Sequence, residues 1–126
     1  MVNVNRKKIL FITGNKYESR ILSLALESAG YELIFISDDR NFAKVMTNIR
    51  ERPDMVIYMS DSKQIKPEDL VGIFKSQKIH TPCILITDPN LEISDEKLLN
   101  SGIINQQLTK PVSLKEIRNA IQELLR

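Results

Sequence analysis

The residues with the capacity for chemistry fall in four short stretches, the first three directly after a run of apolar residues and the fourth after a more mixed one. The first is Thr13-Gly14-Asn15-Lys16, where a hydroxyl, a side-chain-free backbone and an ammonium follow one another. The second, residues 59–62, carries Asp61 two positions after Met59, and the third, residues 87–90, carries Thr87 and Asp88. The fourth is Thr109-Lys110-Pro111. Asp61 and Asp88 are hard oxygen donors, and together they are candidates for a divalent-metal or phosphate-handling site. Lys110 beside an apolar strand end must find a carboxylate or another anion, and Asp61 and Asp88 are the partners within reach of the pattern.

The other reactive side chains read as structural. Cys83 begins the apolar run Cys83-Ile84-Leu85-Ile86 and behaves there as a small buried hydrophobe. His80 precedes the same run, on the edge opposite the four stretches. Met46, Met55 and Met59 fall on apolar faces or strands and belong to a core. Asp54 reads as a turn residue, and a single loop serine, Ser60, carries no weight as a modification site.

Elements that position these groups alternate along the whole chain. Residues 8–12, 31–36, 55–59, 82–86 and 103–109 read as strands, the first, third and fourth being apolar enough for burial on both faces. The last is diluted by Asn105, Gln106 and Gln107. Helical spacing intervenes each time. From Glu18, residues Ile21, Leu22, Ala25, Leu26 and Ala29 share a face, with Gly30 as the stop. Asp38 or Asp39 caps a second helix facing inward through Phe42, Val45, Met46 and Ile49. Pro67 opens a third with Leu70, Ile73 and Phe74 inside. Ser94 caps a fourth, with Ile93 and Leu98 as a hydrophobic staple and Gly102 at its end. The fifth has Ser113 and Glu116 as a capping box, Val112 and Ile117 as a staple, and an apolar stripe of Ile117, Ala120, Ile121, Leu124 and Leu125.

Five strand–helix repeats with short connections predict one α/β domain over residues 1–126, a doubly wound, five-stranded parallel sheet with helices on both faces. Ligand sites in such sheets lie beyond the carboxyl ends of the strands, where the four stretches fall. A chain of 126 residues has room for one such domain and its core. Its 18 basic and 16 acidic residues are interspersed, for a net charge of +2, which makes no footprint for nucleic acid or a membrane surface. No apolar run approaches the length of a membrane span, and cytoplasm is the expected compartment.

From Lys8 to Leu125 the chain resembles the receiver domain of response regulators in two-component systems, the CheY-like, flavodoxin-like module phosphorylated on an aspartate. The likeness rests on "KKILFIT", "LESAGYEL", "RPDMVIYM", "TPCILIT" and, most specifically, "LTKPVSLKEIRNAIQELL". It implies that Thr13 and Gly14 stand where an acidic pair would hold Mg²⁺. Met59 stands at the phosphoacceptor aspartate, Thr87 at the conserved hydroxyl, and Lys110 at the conserved lysine. Pro111 follows, with a cis peptide bond implied before it. The aromatic switch position falls on Gln106 or Gln107.

A pseudo-receiver follows from these departures. It is expected to bind no cofactor, to have lost Mg²⁺, to be no enzyme and to act in a bacterial phosphorelay by protein–protein interaction. A histidine kinase, another regulator, an effector domain or a second copy are the implied partners, the last through the face of helix four, strand five and helix five. The competing expectation is a metal-dependent phosphoacceptor or phosphate-handling site rebuilt from Asp61 and Asp88. A second resemblance covers about nine residues: "FITGNKYES" looks like the phosphate-binding start of the inosine-triphosphate pyrophosphatases. There a glycine, amide hydrogens and a lysine would meet a nucleotide's phosphates.

Overall fold

Strands that are apolar at nearly every position are best satisfied between two apolar layers, and the three central strands are of this kind. In the computed structural model, which describes residues 6–14, 16–36 and 39–125, they are β1 (Lys8–Ile12), β3 (Met55–Met59) and β4 (Cys83–Thr87). Shorter strands, β2 (Glu32–Phe35) and β5 (Gln106–Thr109), close the two edges. The order is β2-β1-β3-β4-β5 and every pairing is parallel. Helices α1 (Lys16–Ser28), α2 (Asp39–Thr47), α3 (Pro67–Ser76) and α4 (Ile93–Asn100) make the crossovers, and α5 (Leu114–Leu124) follows the last strand. None of them is long and apolar enough to cross a membrane.

Alternation along the strands divides the core in two. Ile9, Phe11, Met55, Ile57 and Met59 pack with Leu26 of α1 and with Ile117 and Ile121 of α5. Leu10, Ile12, Val56 and Tyr58 face the other way, toward Phe42 and Met46 of α2, Leu70 and Phe74 of α3 and Leu98 of α4. Met59 therefore points to the α1/α5 side of the sheet and Tyr58 to the α2–α4 side.

The helix signals hold where local hydrogen bonds back them. Gly30, at φ +98°, ends α1 in a left-handed turn with Gly30 N–H on the Glu27 carbonyl and Tyr31 N–H on that of Leu26. Ser113 accepts from the Glu116 amide at 3.1 Å while Glu116 accepts from the Ser113 amide at 3.3 Å. The stripe behind them is buried at Ile117, Ala120 and Ile121.

Four expectations are corrected. Ile21 is 67% exposed, because it lies at the margin of the α1 stripe, over a cleft that no described element covers. Ile49 is exposed because α2 stops at Thr47, so the helical spacing that would have carried it inward has ended. The α4 cap is Glu92, not Ser94: Asp95 accepts the Glu92 amide at 3.0 Å, which makes Ile93 the first helical residue and leaves it exposed, with no staple to Leu98. The fifth strand shrinks to Gln106–Thr109, since Asn105 is spent on Cys83, accepting from its amide through Oδ1 and donating to its carbonyl, each at 2.8 Å. The second and fourth strands shift by one residue at their ends. Asp38 as a helix cap lies outside the described residues, as does the side chain of Asp39.

Candidate functional site

Beyond the carboxyl ends of β1, β3, β4 and β5 the four sequence stretches meet. The chain after β3 turns at once, with Ser62 N–H on the Met59 carbonyl at 3.1 Å and Ser60 N–H on the Ile86 carbonyl at 3.0 Å. Tyr58 reaches under this turn from the α2–α4 side and donates to the Ile65 carbonyl at 2.8 Å, joined there by the Ser62 hydroxyl at 3.1 Å. Burial, reinforced by Asp95 and other nearby carboxylates, pushes the Tyr58 phenol above its ordinary range, so it stays a donor.

This turn swings Asp61 back over the end of β1. One carboxylate oxygen accepts from the Gly14 amide at 3.0 Å and the Thr13 hydroxyl at 3.4 Å. The other lies 3.7 Å from the Lys110 ammonium, and Asp88 approaches the same ammonium at 4.0 Å. The closeness depends on Gly14: a Cβ placed there would sit 2.5 Å from the Asp61 carbonyl oxygen. Lys110 is fixed through its own backbone, its amide donating to the Thr87 carbonyl at 2.8 Å, and its bond to Pro111 is cis.

Thr87 is completely buried, and its hydroxyl accepts from the Gln107 side chain at 3.1 Å. Gln107 sits two residues before Thr109, which pairs with Thr87 itself, and of the two glutamines it is the one aimed at the hydroxyl. Met59 is 2% exposed. It forms the floor of an apolar cleft of about 470 Å³, walled by Ile21 and Leu22 of α1, Ile86, Pro111 and Val112.

The structure thus brings together Thr13, Gly14, Asp61, Asp88 and Lys110, sets Met59 and Pro111 in the adjoining cleft, and turns Thr87 inward. Asn15 and the side chain of Lys16 lie outside the described residues. Among the described residues no three His, Cys, Asp or Glu side chains converge as a metal site would require. His80 is exposed at the opposite edge of the sheet, and burial pushes the Cys83 thiol up. A nucleotide phosphate would need the Gly14 amide, and the Asp61 carboxylate already holds it.

No family model matches the sequence. A response-regulator receiver domain from Methanospirillum hungatei superposes with a TM-score of 0.80 at 20% identity, over 96% of this chain and 94% of that one. The chain has the receiver fold. The receiver domain of a sensor histidine kinase from Pseudomonas aeruginosa, with magnesium in its active-site cleft, superposes with the same score and identity over 95% of this chain and 98% of its own. In sequence, the chain is 25% identical over 120 residues to the alkaline phosphatase synthesis transcriptional regulatory protein PhoP of Bacillus subtilis, covering 95% of this chain and 49% of PhoP. It therefore spans about half the length of that relative.

Sequence reasoning named each strand-end residue of this receiver-fold site but missed the Tyr58–Ile65 contact and the Gln107–Thr87 bond as parts of it. The polar residues that weaken the fifth strand were the available signal for the second; a tyrosine inside an apolar strand gave none for the first.

Proposed function

We propose that the chain is a receiver-like signalling module of a two-component phosphorelay that works through protein–protein contact and is not phosphorylated at the usual position. The observation that carries this reading is Met59, a buried thioether at the end of the central strand, where a receiver places its phosphoacceptor aspartate. The surrounding residues agree with it. Thr13 and Gly14 supply no carboxylate for Mg²⁺, and the two carboxylates nearby are drawn to the Lys110 ammonium, a poor setting for a divalent cation. Asp61 takes for itself the amide, hydroxyl and ammonium that would otherwise meet a phosphoryl group.

The module then has no enzymatic chemistry of its own and resides in the cytoplasm. Its partners are a histidine kinase, another regulator, an effector domain or a second copy meeting it across α4, β5 and α5. Treatment with acetyl phosphate or beryllofluoride and Mg²⁺, read by intact mass and amide spectra, is the test. An unchanged mass and spectrum support the reading, and a stable adduct of one phosphoryl group overturns it.

A second reading has its own observation, since Asp61 and Asp88 both reach Lys110 and Asp61 retains partial exposure. In that case Asp61 is a displaced phosphoacceptor. An adduct that forms on the native chain and is absent from Asp61→Asn would establish it.

A further inference from the structure

Helix α3 carries a glycine that nothing in the fold requires. Gly72 lies in the interior of the helix, where glycine is the least favourable residue short of proline, and a Cβ built on it would meet no atom within 4 Å. It sits at the centre of an exposed stripe, Glu68, Gly72 and Lys75, at the i, i+4, i+7 spacing of one helix face. Beside the stripe a groove of about 520 Å³ runs between α3 and α4, and Val71, Leu98 and Lys97 line it together with those three residues.

The charges in the groove are sorted by end. Both helices cross the same face of a parallel sheet and therefore run in the same direction, so Glu68 marks one end of the groove and Lys75 with Lys97 the other. Among the described residues none of these three has an ion-pair partner. The neighbouring carboxylate, Asp69, is already taken by the Lys66 amide at 2.9 Å.

We propose that a second copy of this chain docks in the groove, α3 against α3 in antiparallel sense, with the two-fold axis passing at Gly72. A bare glycine at the crossing lets two helix backbones come as near as helices pack. Charge sets the direction. A parallel pairing would place Glu68 against Glu68 and Lys75 against Lys75, whereas the antiparallel one brings Glu68 to the Lys75 and Lys97 end of the other copy and opposes the helix dipoles favourably. Affinity comes from covering Val71, Leu98 and the lysine stems, since exposed ion pairs add little. The face is separate from the α4, β5 and α5 surface named above. Its test needs no phosphoryl donor, so its failure leaves the reading of Met59 untouched.

Sedimentation velocity from about 10 μM to about 1 mM, with amide spectra on dilution, is the test. The native chain is expected to dimerise, with concentration-dependent shifts on residues 68–76 and 94–101. Gly72→Gln fills the crossing with a side chain for which the single chain has open space and which favours a helix, so folding is retained; association should fall by about tenfold or more. Glu68→Lys and Lys75→Glu should each weaken self-association by about tenfold, because symmetry repeats every spoiled contact. An equal mixture of those two variants should associate more strongly than either alone, since each then meets its opposite.

A native chain that stays monomeric to about 1 mM, a Gly72→Gln protein that dimerises as well as native, or a mixture no tighter than its components overturns the proposal. Dilution shifts confined to β5 and α5 overturn it too, because the second copy would then be meeting the other face.

Discussion

Gly14→Ala is the substitution that most directly tests how the strand-end site is held. The added Cβ would lie 2.5 Å from the Asp61 carbonyl oxygen, about 0.9 Å inside the 3.4 Å at which ordinary contact begins. That oxygen belongs to the backbone and cannot rotate aside, so the turn after β3 must retreat. Retreat stretches the 3.0 Å bond from the Gly14 amide to the Asp61 carboxylate, a charge-assisted bond worth about 1.5–3 kcal/mol. It also loosens the half-screened pair with Lys110, worth at most about 1 kcal/mol. Against this, a stiffer unfolded chain returns only about 0.4–1 kcal/mol. The net expectation is a loss of about 1–3 kcal/mol, out of a total stability on the order of 5–15.

Urea unfolding of native protein, Gly14→Ala, Asp61→Ala and the double variant separates the parts. In the Asp61→Ala background no carboxylate remains to be displaced, while the clash with the backbone oxygen persists. Gly14→Ala should therefore cost about 1–2 kcal/mol less there than in the native chain. A Gly14→Ala protein within about 0.5 kcal/mol of native, or strict additivity of the two changes, would refute the account of Asp61 as the group that ties this turn to β1.

Met59→Asp places a carboxylate in the cleft at a position 2% exposed, and should destabilise by about 2–5 kcal/mol, with Lys110 on the same cleft offsetting part of the charge. It should remain unlabelled by acetyl phosphate, because Thr13 and Gly14 still bring no metal; strong labelling of this single variant would show the metal argument to be wrong. Alkaline pH gives a separate check. Tyr58 and Cys83 both hold their protons more tightly when folded than their ordinary values of 10.0 and 9.0, so stability is fully present below about pH 9 and declines above it as the unfolded chain ionises first. Tyr58→Phe should remove the part of that decline beginning near pH 10. At neutral pH it should cost only about 1 kcal/mol, since the Ile65 carbonyl keeps the Ser62 hydroxyl. Stability flat from about pH 8 to 11 would contradict both burials.

What the sequence conveyed depended on how many neighbours each residue has. Strands β1, β3 and β4 are buried on both faces, and an unbroken apolar run has little else to be, so their limits were readable to within a residue. The capping box at Ser113 and Glu116 is a local matter of three residues and was equally readable. Ile21 and Ile49 were misassigned because spacing describes a helix as if every face met a partner, whereas one lies over a cleft and the other beyond the helix end. Asp61 shows the limit most clearly. Its position two residues past a strand marked it as a candidate partner of Lys110, but its grip on the Gly14 amide, 47 residues away in sequence, depends on a turn held from below by the Tyr58 hydroxyl on the Ile65 carbonyl, which neither periodicity nor turn composition encodes.

The glutamines that made the fifth strand hard to read have a consequence of their own. Among the described residues β5 is an edge that pairs with β4 alone, and the outer row of amides and carbonyls of an edge strand is what another chain's strand would pair with. It is four residues long and exposes Gln107 and Thr109, while Gln106 is tied by its side-chain amide to Glu123 at 2.8 Å. A short, polar border of this sort offers a stray strand few rungs and no apolar surface to lie on. The composition that blurs the strand to a reader is what discourages end-to-end growth of the sheet in a crowded solution.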